Sequence, residues 1–171
     1  MSKIYQYFVE GECEEKLINA LKVRQQEYLT PGKVTVFNFT NKLITNPRIA
    51  VLNKETIIIL VYDIDVNKTE ILEKNIAKLN KFGFKKIYHI QSINNFEDEI
   101  IYSTVLNKID GLFNTVGKEE FKKEFIHSSN IIKKLDSVDF NRDKIWSRVN
   151  NKEPFNKYSN KESLKIIRNK N

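Results

Sequence analysis

The most hydrophobic stretch of the chain is Thr56-Ile57-Ile58-Ile59-Leu60-Val61-Tyr62, and it runs directly into Asp63-Ile64-Asp65. A short, continuous apolar run of this kind is typical of a strand that is buried on both faces of a parallel sheet. It is far shorter than the roughly 18 apolar residues that are needed to cross a bilayer. We therefore predict a central parallel strand that ends in two carboxylates.

Strand and helix patterns alternate on both sides of this stretch, with β-rich runs at period 2 separated by apolar residues at helical spacing. The predicted strands are 4–9, 33–39, 56–62 and 85–90, and the predicted helices start near 13, 67, 96 and 118 and end near 23, 82, 112 and 135, with a short helix or turns within 40–54. This alternation predicts an α/β fold, with a Rossmann-like, mostly parallel sheet of about four strands flanked by helices.

The length of 171 residues allows one globular domain and leaves little room for a second. We expect the α/β sheet within residues 1–105, a helical C-terminal extension over 106–150 that packs on it, and a basic, mobile tail over 151–171, where apolar residues become rare. The chain has a single cysteine, Cys13, which excludes a disulfide framework and a cysteine-rich zinc site.

The net charge of +7 is concentrated at the C-terminal end of the chain. Residues 144–171 contain eight basic and two acidic residues, whereas residues 1–105 contain 14 basic and 13 acidic ones. A basic segment favours a polyanion as partner, because neutralising phosphates releases counterions. A solvated end with no binding role is the open alternative. The candidate nucleic-acid contacts are Lys144, Arg148, Lys152, Lys157, Lys161 and Lys165.

Acidic residues follow three of the four predicted strands. The three clusters are Glu10-Gly11-Glu12-Cys13-Glu14-Glu15, Asp63-Ile64-Asp65 and Glu97-Asp98-Glu99. The carboxyl ends of parallel strands lie at one edge of a sheet, so all three clusters are expected there. Repulsion among carboxylates is relieved by a divalent cation, and oxygen-only ligands favour Mg²⁺ or Mn²⁺ over zinc. The alternative for the glutamates that open helices is a favourable interaction with the helix dipole.

Two of these clusters carry a resemblance to a known family. Phe8-Val9-Glu10-Gly11-Glu12-Cys13-Glu14 resembles the Glu-Gly signature of TOPRIM domains, the fold of topoisomerase and primase catalytic domains, and Val61-Tyr62-Asp63-Ile64-Asp65 resembles their Asp-x-Asp motif. The Glu-Gly-Glu-x-Glu form is more similar to OLD nucleases and to the RloB-like proteins of restriction loci. Asn95-Phe96-Glu97 is similar to an Asn-Pro-x-Phe-Glu element of RloB-like proteins, without its proline. The resemblance spans residues 4–102.

The resemblance implies that residues 1–105 are a TOPRIM-like catalytic domain. It places Glu10 at the scissile phosphate, as metal ligand or general acid/base, and gives Asp63 and Asp65 to Mg²⁺. It adds Glu14 to a two-metal arrangement, in which one metal activates water and the other stabilises the leaving oxygen. The predicted catalytic residues are Glu10, Asp63 and Asp65, and the predicted metal ligands are Glu10, Glu14, Asp63, Asp65 and Glu97.

We therefore expect a metal-dependent nuclease acting on DNA or RNA, with the resemblance implying a role in phage defence. The alternatives are a non-catalytic nucleic-acid-binding or partner-docking module, and metal-dependent chemistry on a nucleotide. A phosphate-binding glycine-rich loop is absent from the sequence, so any ATP-driven step needs a separate ATPase or defence-system subunit. The N-terminus lacks the apolar core of a signal peptide, which predicts a cytoplasmic protein with no membrane partner.

Overall fold

The computed structural model describes residues 4–22, 28–65, 67–158 and 160–168. Its centre is a sheet of four parallel strands: β1 (Tyr5–Val9), β2 (Lys33–Val36), β3 (Ile57–Asp63) and β4 (Ile87–Ser92). The spatial order is β2-β1-β3-β4, so β3 lies inside the sheet and β4 is an edge strand. The chain therefore has the α/β fold with a parallel sheet that the alternating patterns predict.

Helices connect the strands and continue after β4. They are α1 (Glu12–Leu21), α2 (Asn46–Ala50), α3 (Glu70–Lys81), α4 (Phe96–Tyr102), α5 (Lys118–His127), α6 (Ile131–Asp136) and α7 (Asn160–Ile167), with 3-10 turns at Ile109–Leu112 and Phe155–Lys157. Within the described ranges, none of these helices has both the length and the apolar character that a bilayer span requires.

Strand β3 divides the core in two, because successive side chains of a strand point to opposite faces of the sheet. Ile57, Ile59 and Val61 pack into a core that also contains residues of α1, α4, α5 and α6. Ile58, Leu60 and Tyr62 pack into a second core with α3. Residues from 109 to 146 belong to the first of these cores, so the helical segment after α4 packs on the sheet.

Three elements are shorter than predicted, and short polar side chains mark where two of them end. The single helix predicted over 118–135 is broken between α5 and α6, where the side chain of Asn130 accepts the Lys133 N–H (3.0 Å) and starts a new helix. Helix α4 ends at Tyr102, and the Ser103 hydroxyl donates to the Glu99 carbonyl (2.7 Å). Such side chains compete with regular helical hydrogen bonding. Strand β2 ends at Val36, three residues before the predicted end.

The C-terminal segment differs from the mobile tail predicted for 151–171. In the described part of this segment, α7 packs beside the edge strand β4, and Phe155 and Ile167 are buried. The Asn160 side chain accepts the Gln91 N–H (2.7 Å) and donates to the Gln91 carbonyl (2.9 Å), and Ser163 bonds the N–H and the carbonyl of His89 in the same way. These two side chains satisfy backbone groups that a fifth strand would otherwise bond.

Replacing Asn160 with alanine should lower the free energy of unfolding by about 2–4 kcal/mol, because it leaves the N–H and carbonyl of Gln91 unpaired. Gln91 is fully buried, so water cannot replace the lost bonds without opening the structure. Urea unfolding measures the loss. The matched variant Asn156→Ala changes an exposed asparagine of the same segment and should shift the value by less than about 0.5 kcal/mol. Equally small effects of both variants would contradict the docking of α7 on β4.

Candidate active site

A cavity of about 290 Å³ lies at the carboxyl ends of β1 and β3, beside the starts of α1 and α4 and one face of α5. Its acidic lining residues are Glu10, Glu12, Glu14, Asp63 and Glu97, and its basic lining residue is Lys122. The structure thus brings together four of the five side chains that the sequence nominates as metal ligands. The fifth, Asp65, is exposed and is not among the lining residues.

The turn from β1 into α1 leaves little room for a side chain at position 11. Gly11 is the N-cap of α1, and a Cβ atom added there would lie 3.1 Å from Oε2 of Glu14. This contact is tighter than nine in ten real Cβ contacts, so the Glu14 carboxylate would have to shift by a few tenths of an ångström. The Glu-Gly pair therefore lets Glu14, one turn into the helix, fold back beside Glu10.

Both oxygens of the Glu10 carboxylate are held by hydrogen bonds. Oε1 accepts the Thr40 hydroxyl at 2.5 Å, and Oε2 accepts the backbone N–H of Asp63 at 3.1 Å. The side-chain oxygen Oδ1 of Asn38 lies 2.8 Å from the same Thr40 hydroxyl and accepts the N–H groups of Thr40 and Asn41. Sequence analysis missed Thr40 and Asn38, although both polar residues come shortly after β2, at the same edge of the sheet.

Burial makes ionisation of this cluster costly. It raises the pKa of Asp63 to about 8 and that of Glu14 to about 7, and the charges of neighbouring carboxylates add to both increases. Burial also raises the pKa of Glu10, although its bonds to Thr40 and to the Asp63 N–H offset part of the increase. Oδ1 of Asp63 is buried and has no hydrogen-bond partner among the described residues. In the part of the chain that the structure describes, no cation is among the groups that shift the pKa of Glu10 or Asp63.

Glu97 has cationic neighbours that the sequence did not predict. Its side chain is 4% exposed, and the ammonium groups of Lys122 and Lys118 lie 3.4 Å from Oε1 and 3.8 Å from Oε2. Burial on its own would lower the pKa of Lys122, but the carboxylates of Glu97 and Glu119 outweigh it and raise that pKa, so the ammonium stays charged. Both lysines belong to α5, which is about 20 residues from Glu97 in the sequence, so no local motif predicts their contact with it.

Three other residues of the motifs that resemble the TOPRIM family do not line up as ligands or nucleophiles: Asn95, Cys13 and Asp65. Asn95 is the N-cap of α4, where its side chain accepts the Asp98 N–H at 3.0 Å. Cys13 is buried, and burial raises the pKa of its thiol to about 12, so it is protonated at neutral pH and unsuited to act as a nucleophile. Asp65 influences the site from outside, because its charge adds to the raised pKa of Glu10.

The basic candidates lie on a folded segment and not on an open chain. Arg148 makes an ion pair with the fully buried Glu99 (2.7 Å) and donates to the Ile93 carbonyl (3.0 Å), so its role is structural. Several of the lysines also contact groups of their own chain. Lys152 donates to Asn94 (2.8 Å), Lys157 pairs with Glu73, Lys165 pairs with Glu162 (3.0 Å), Lys144 lies over the Tyr102 ring, and Lys161 lines a small surface cavity beside Tyr158.

The carboxylates share the cavity without converging on one point. Across the described ranges, no group of three or more His, Cys, Asp or Glu side chains is arranged to hold a metal ion. Glu10 is bonded to Thr40 and to the backbone of Asp63, and Glu97 is paired with the lysines of α5. Binding a cation between them would therefore require side-chain rotation, and Oδ1 of Asp63 is a buried oxygen that makes no hydrogen bond among the described residues.

Comparison of the chain with protein-family models, with curated proteins and with solved structures finds no match in any of the three. The interpretation of the cavity therefore depends on the chemistry and geometry of its own residues.

In EDTA, the free energy of unfolding should fall as the pH rises from about 5 to about 8. Asp63 and Glu14 have folded-state pKa values of about 8 and about 7, above the values near 4 of the unfolded chain. The folded state then binds more protons in this window, and each extra proton gives a slope of about −1.4 kcal/mol per pH unit. Urea unfolding across the pH range measures this slope.

Asp63→Asn should make the slope of the unfolding free energy against pH less steep by the contribution of one proton, because the amide does not titrate. Glu55→Gln, which changes an exposed acid just before β3 at the opposite end of the sheet, should keep the wild-type slope. A flat profile for the unaltered protein would contradict the proposed burial of ionisable carboxyls.

Proposed function

We propose that this chain is a metal-dependent phosphodiesterase that cleaves nucleic acid, with a TOPRIM-like catalytic arrangement. The observation that carries the proposal is the cavity in which Glu10, Glu14 and Asp63 share a buried space at the carboxyl ends of β1 and β3. Oxygen donors without cysteine or histidine ligands suit Mg²⁺ or Mn²⁺. The raised pKa values show that the ionised carboxylates repel one another and are poorly solvated, and a bound cation would relieve both effects. Oδ1 of Asp63, which makes no hydrogen bond among the described residues, could contact such a cation.

The order of elements supports the TOPRIM-like assignment. Glu10 directly follows β1 and Asp63 ends β3, and these strands are adjacent and parallel, with Val9 opposite Val61. The Glu-Gly and Asp-x-Asp elements therefore meet at one edge, as the resemblance implies. A role in phage defence, and a separate ATPase or defence-system subunit, are proposed on the resemblance alone.

The residues of the cavity suit hydrolysis of a phosphodiester. Glu10, Glu14 and Asp63 would hold the cation, which supplies a water of lowered pKa and neutralises charge on the phosphate. The bonds from Thr40 and from the Asp63 N–H fix the orientation of the Glu10 carboxylate in the cavity, where it could accept a proton from such a water. Burial keeps the pKa of Glu10 above its ordinary value, which brings it closer to the neutral range that general acid/base catalysis favours.

The size of the cavity supports contact with the backbone of a nucleic acid. Its volume of about 290 Å³ is at the lower end of ligand pockets, which span roughly 300–1,000 Å³. A phosphate with its adjoining sugar atoms is small enough for this volume. Phosphate contacts position a protein on nucleic acid but carry no direct sequence information, so we expect cleavage with little sequence preference.

Asp63→Asn should reduce Mn²⁺-dependent cleavage of labelled DNA or RNA by at least about 10²-fold, because one ligand is lost. In EDTA the melting temperature should stay unchanged near pH 7, where the raised pKa keeps Asp63 largely protonated, and should rise above about pH 8, where the substitution removes a repelling charge. Glu55→Gln is the matched control and should keep both the rate and the stability of the unaltered protein.

Retained cleavage by Asp63→Asn would exclude Asp63 as an essential ligand, and a large loss of stability in EDTA would assign it a structural role. If the unaltered protein binds nucleic acid with Mg²⁺ or Mn²⁺ present but cleaves none, the non-catalytic binding module is favoured.

Replacing Lys144, Lys152 and Lys165 together with glutamine should weaken binding and reduce the slope of log K against log salt by up to about 3. The rate at saturating substrate should stay the same, because such contacts contribute equally to ground and transition states. Fluorescence anisotropy across a KCl series measures the slope. An unchanged affinity would show that these lysines are solvated charges.

Arg148→Gln tests a structural role for Arg148, another of the basic candidates. It leaves the buried Glu99 carboxylate without its ion pair, so unfolding should become easier by about 3 kcal/mol. Urea unfolding measures the loss. A free energy of unfolding within about 0.5 kcal/mol of that of the unaltered protein would contradict the structural role and leave Arg148 as a candidate nucleic-acid contact.

A further inference from the structure

Lys122 places a positive charge inside the acidic cavity before any metal binds. Its ammonium lies 3.4 Å from Oε1 of Glu97, whose side chain is only 4% exposed. Lys118 reaches the other oxygen of Glu97 at 3.8 Å but does not line the cavity. The charge of Glu97 is thus matched by the lysines of α5, whereas the bonds held by Glu10 come from uncharged groups, a hydroxyl and a backbone N–H.

This pairing conflicts with the use of Glu97 as a ligand of a second metal. In two-metal sites the cations stand about 3.5–4 Å apart and both need carboxylate oxygens. An ammonium 3.4 Å from Glu97 already occupies the place where a cation would contact that carboxylate. A second divalent ion there would have to displace Lys122 and overcome its repulsion.

We propose that Lys122 fills the second cation position of the site, so that the cavity takes one divalent cation on Glu10, Glu14 and Asp63 while Lys122 contacts the substrate phosphate. This inference rests on the proposed function and specifies how its site is built. An ammonium group donates up to three hydrogen bonds, so Lys122 can keep Glu97 as partner and still bind a non-bridging phosphate oxygen. The side chain is 46% exposed, which leaves its ammonium open to an incoming phosphate.

The test counts Mn²⁺ ions bound per chain, by isothermal titration and by metal analysis after dialysis. The full-length protein should bind one ion. Lys122→Met leaves Glu97 paired only with Lys118, which does not line the cavity, and this variant should bind two ions. Lys122→Arg retains the charge and should bind one. Lys123→Met is the matched control, since Lys123 is the next residue of α5, is exposed and does not line the cavity, and it should bind one ion.

Two ions on the unaltered protein would overturn the inference and leave the proposed function standing, as would a single ion on a folded Lys122→Met variant. No binding at millimolar Mn²⁺ would overturn both. If Lys122→Met fails to fold, Glu97→Gln decides, because it keeps the shape of the side chain and removes its charge. Glu97→Gln should still bind one ion within about threefold of the original affinity, and a loss of tenfold or more would make Glu97 a ligand and overturn the inference.

Discussion

Repulsion between buried carboxylates at the carboxyl ends of β1 and β3 is the constraint on which the surrounding architecture depends. Ionised side chains that share a cavity of about 290 Å³ destabilise the folded state. The raised pKa values of Glu14 and Asp63 are a consequence of this cost, because the folded chain favours their protonated forms. A protein without use for such a cluster gains stability by losing it. Hydrogen bonds from Thr40 and from the Asp63 N–H nevertheless hold Glu10 in place, an arrangement that the proposed cation-dependent function would use.

The sheet is the element that forces the acids together. The parallel register places Val9 opposite Val61, so Glu10 leaves β1 at the level where β3 ends in Asp63. The Asp63 N–H then bonds Glu10 directly, and the strand ends are joined through the same carboxylate that a cation would contact. A shift of register by one residue would turn the core side chains of β3 to the opposite face, so the apolar run fixes the site as well as the fold.

The sequence predicts the parts of this arrangement that depend on local pattern. The apolar run of β3 and the acids after β1 and β3 are visible because parallel strands end at one edge. Thr40 and Lys122 could not be predicted, because their contacts join segments that are distant in the chain. The same limit explains why a mobile tail was predicted for residues 151–171. The many charges of this segment favoured that prediction, whereas the buried contacts of Asn160 and Ile167 are with residues distant in the chain.

Glu97 and Glu99 belong to the same helix but have different partners and therefore different roles. They stand two residues apart on α4, which turns them about 200° from each other, so Glu97 faces the cavity while Glu99 faces the C-terminal segment. Glu99 accepts N–H groups from Ile93 (2.9 Å) and Trp146 (2.9 Å) and pairs with Arg148, so its capacity to bind is filled.

Glu97 differs because its partners are two half-exposed lysines, whose ammonium groups lie 3.4 Å and 3.8 Å from its carboxylate oxygens. The bonds of Glu99 stabilise the fold, whereas the lysines that pair with Glu97 are open to solvent and could also contact the phosphate of the proposed substrate. Since both acids belong to α4, the helix that fastens the C-terminal segment also positions the lysine-bearing wall of the cavity. The C-terminal segment and the lysine-bearing wall of the cavity are therefore both contacted by this one helix.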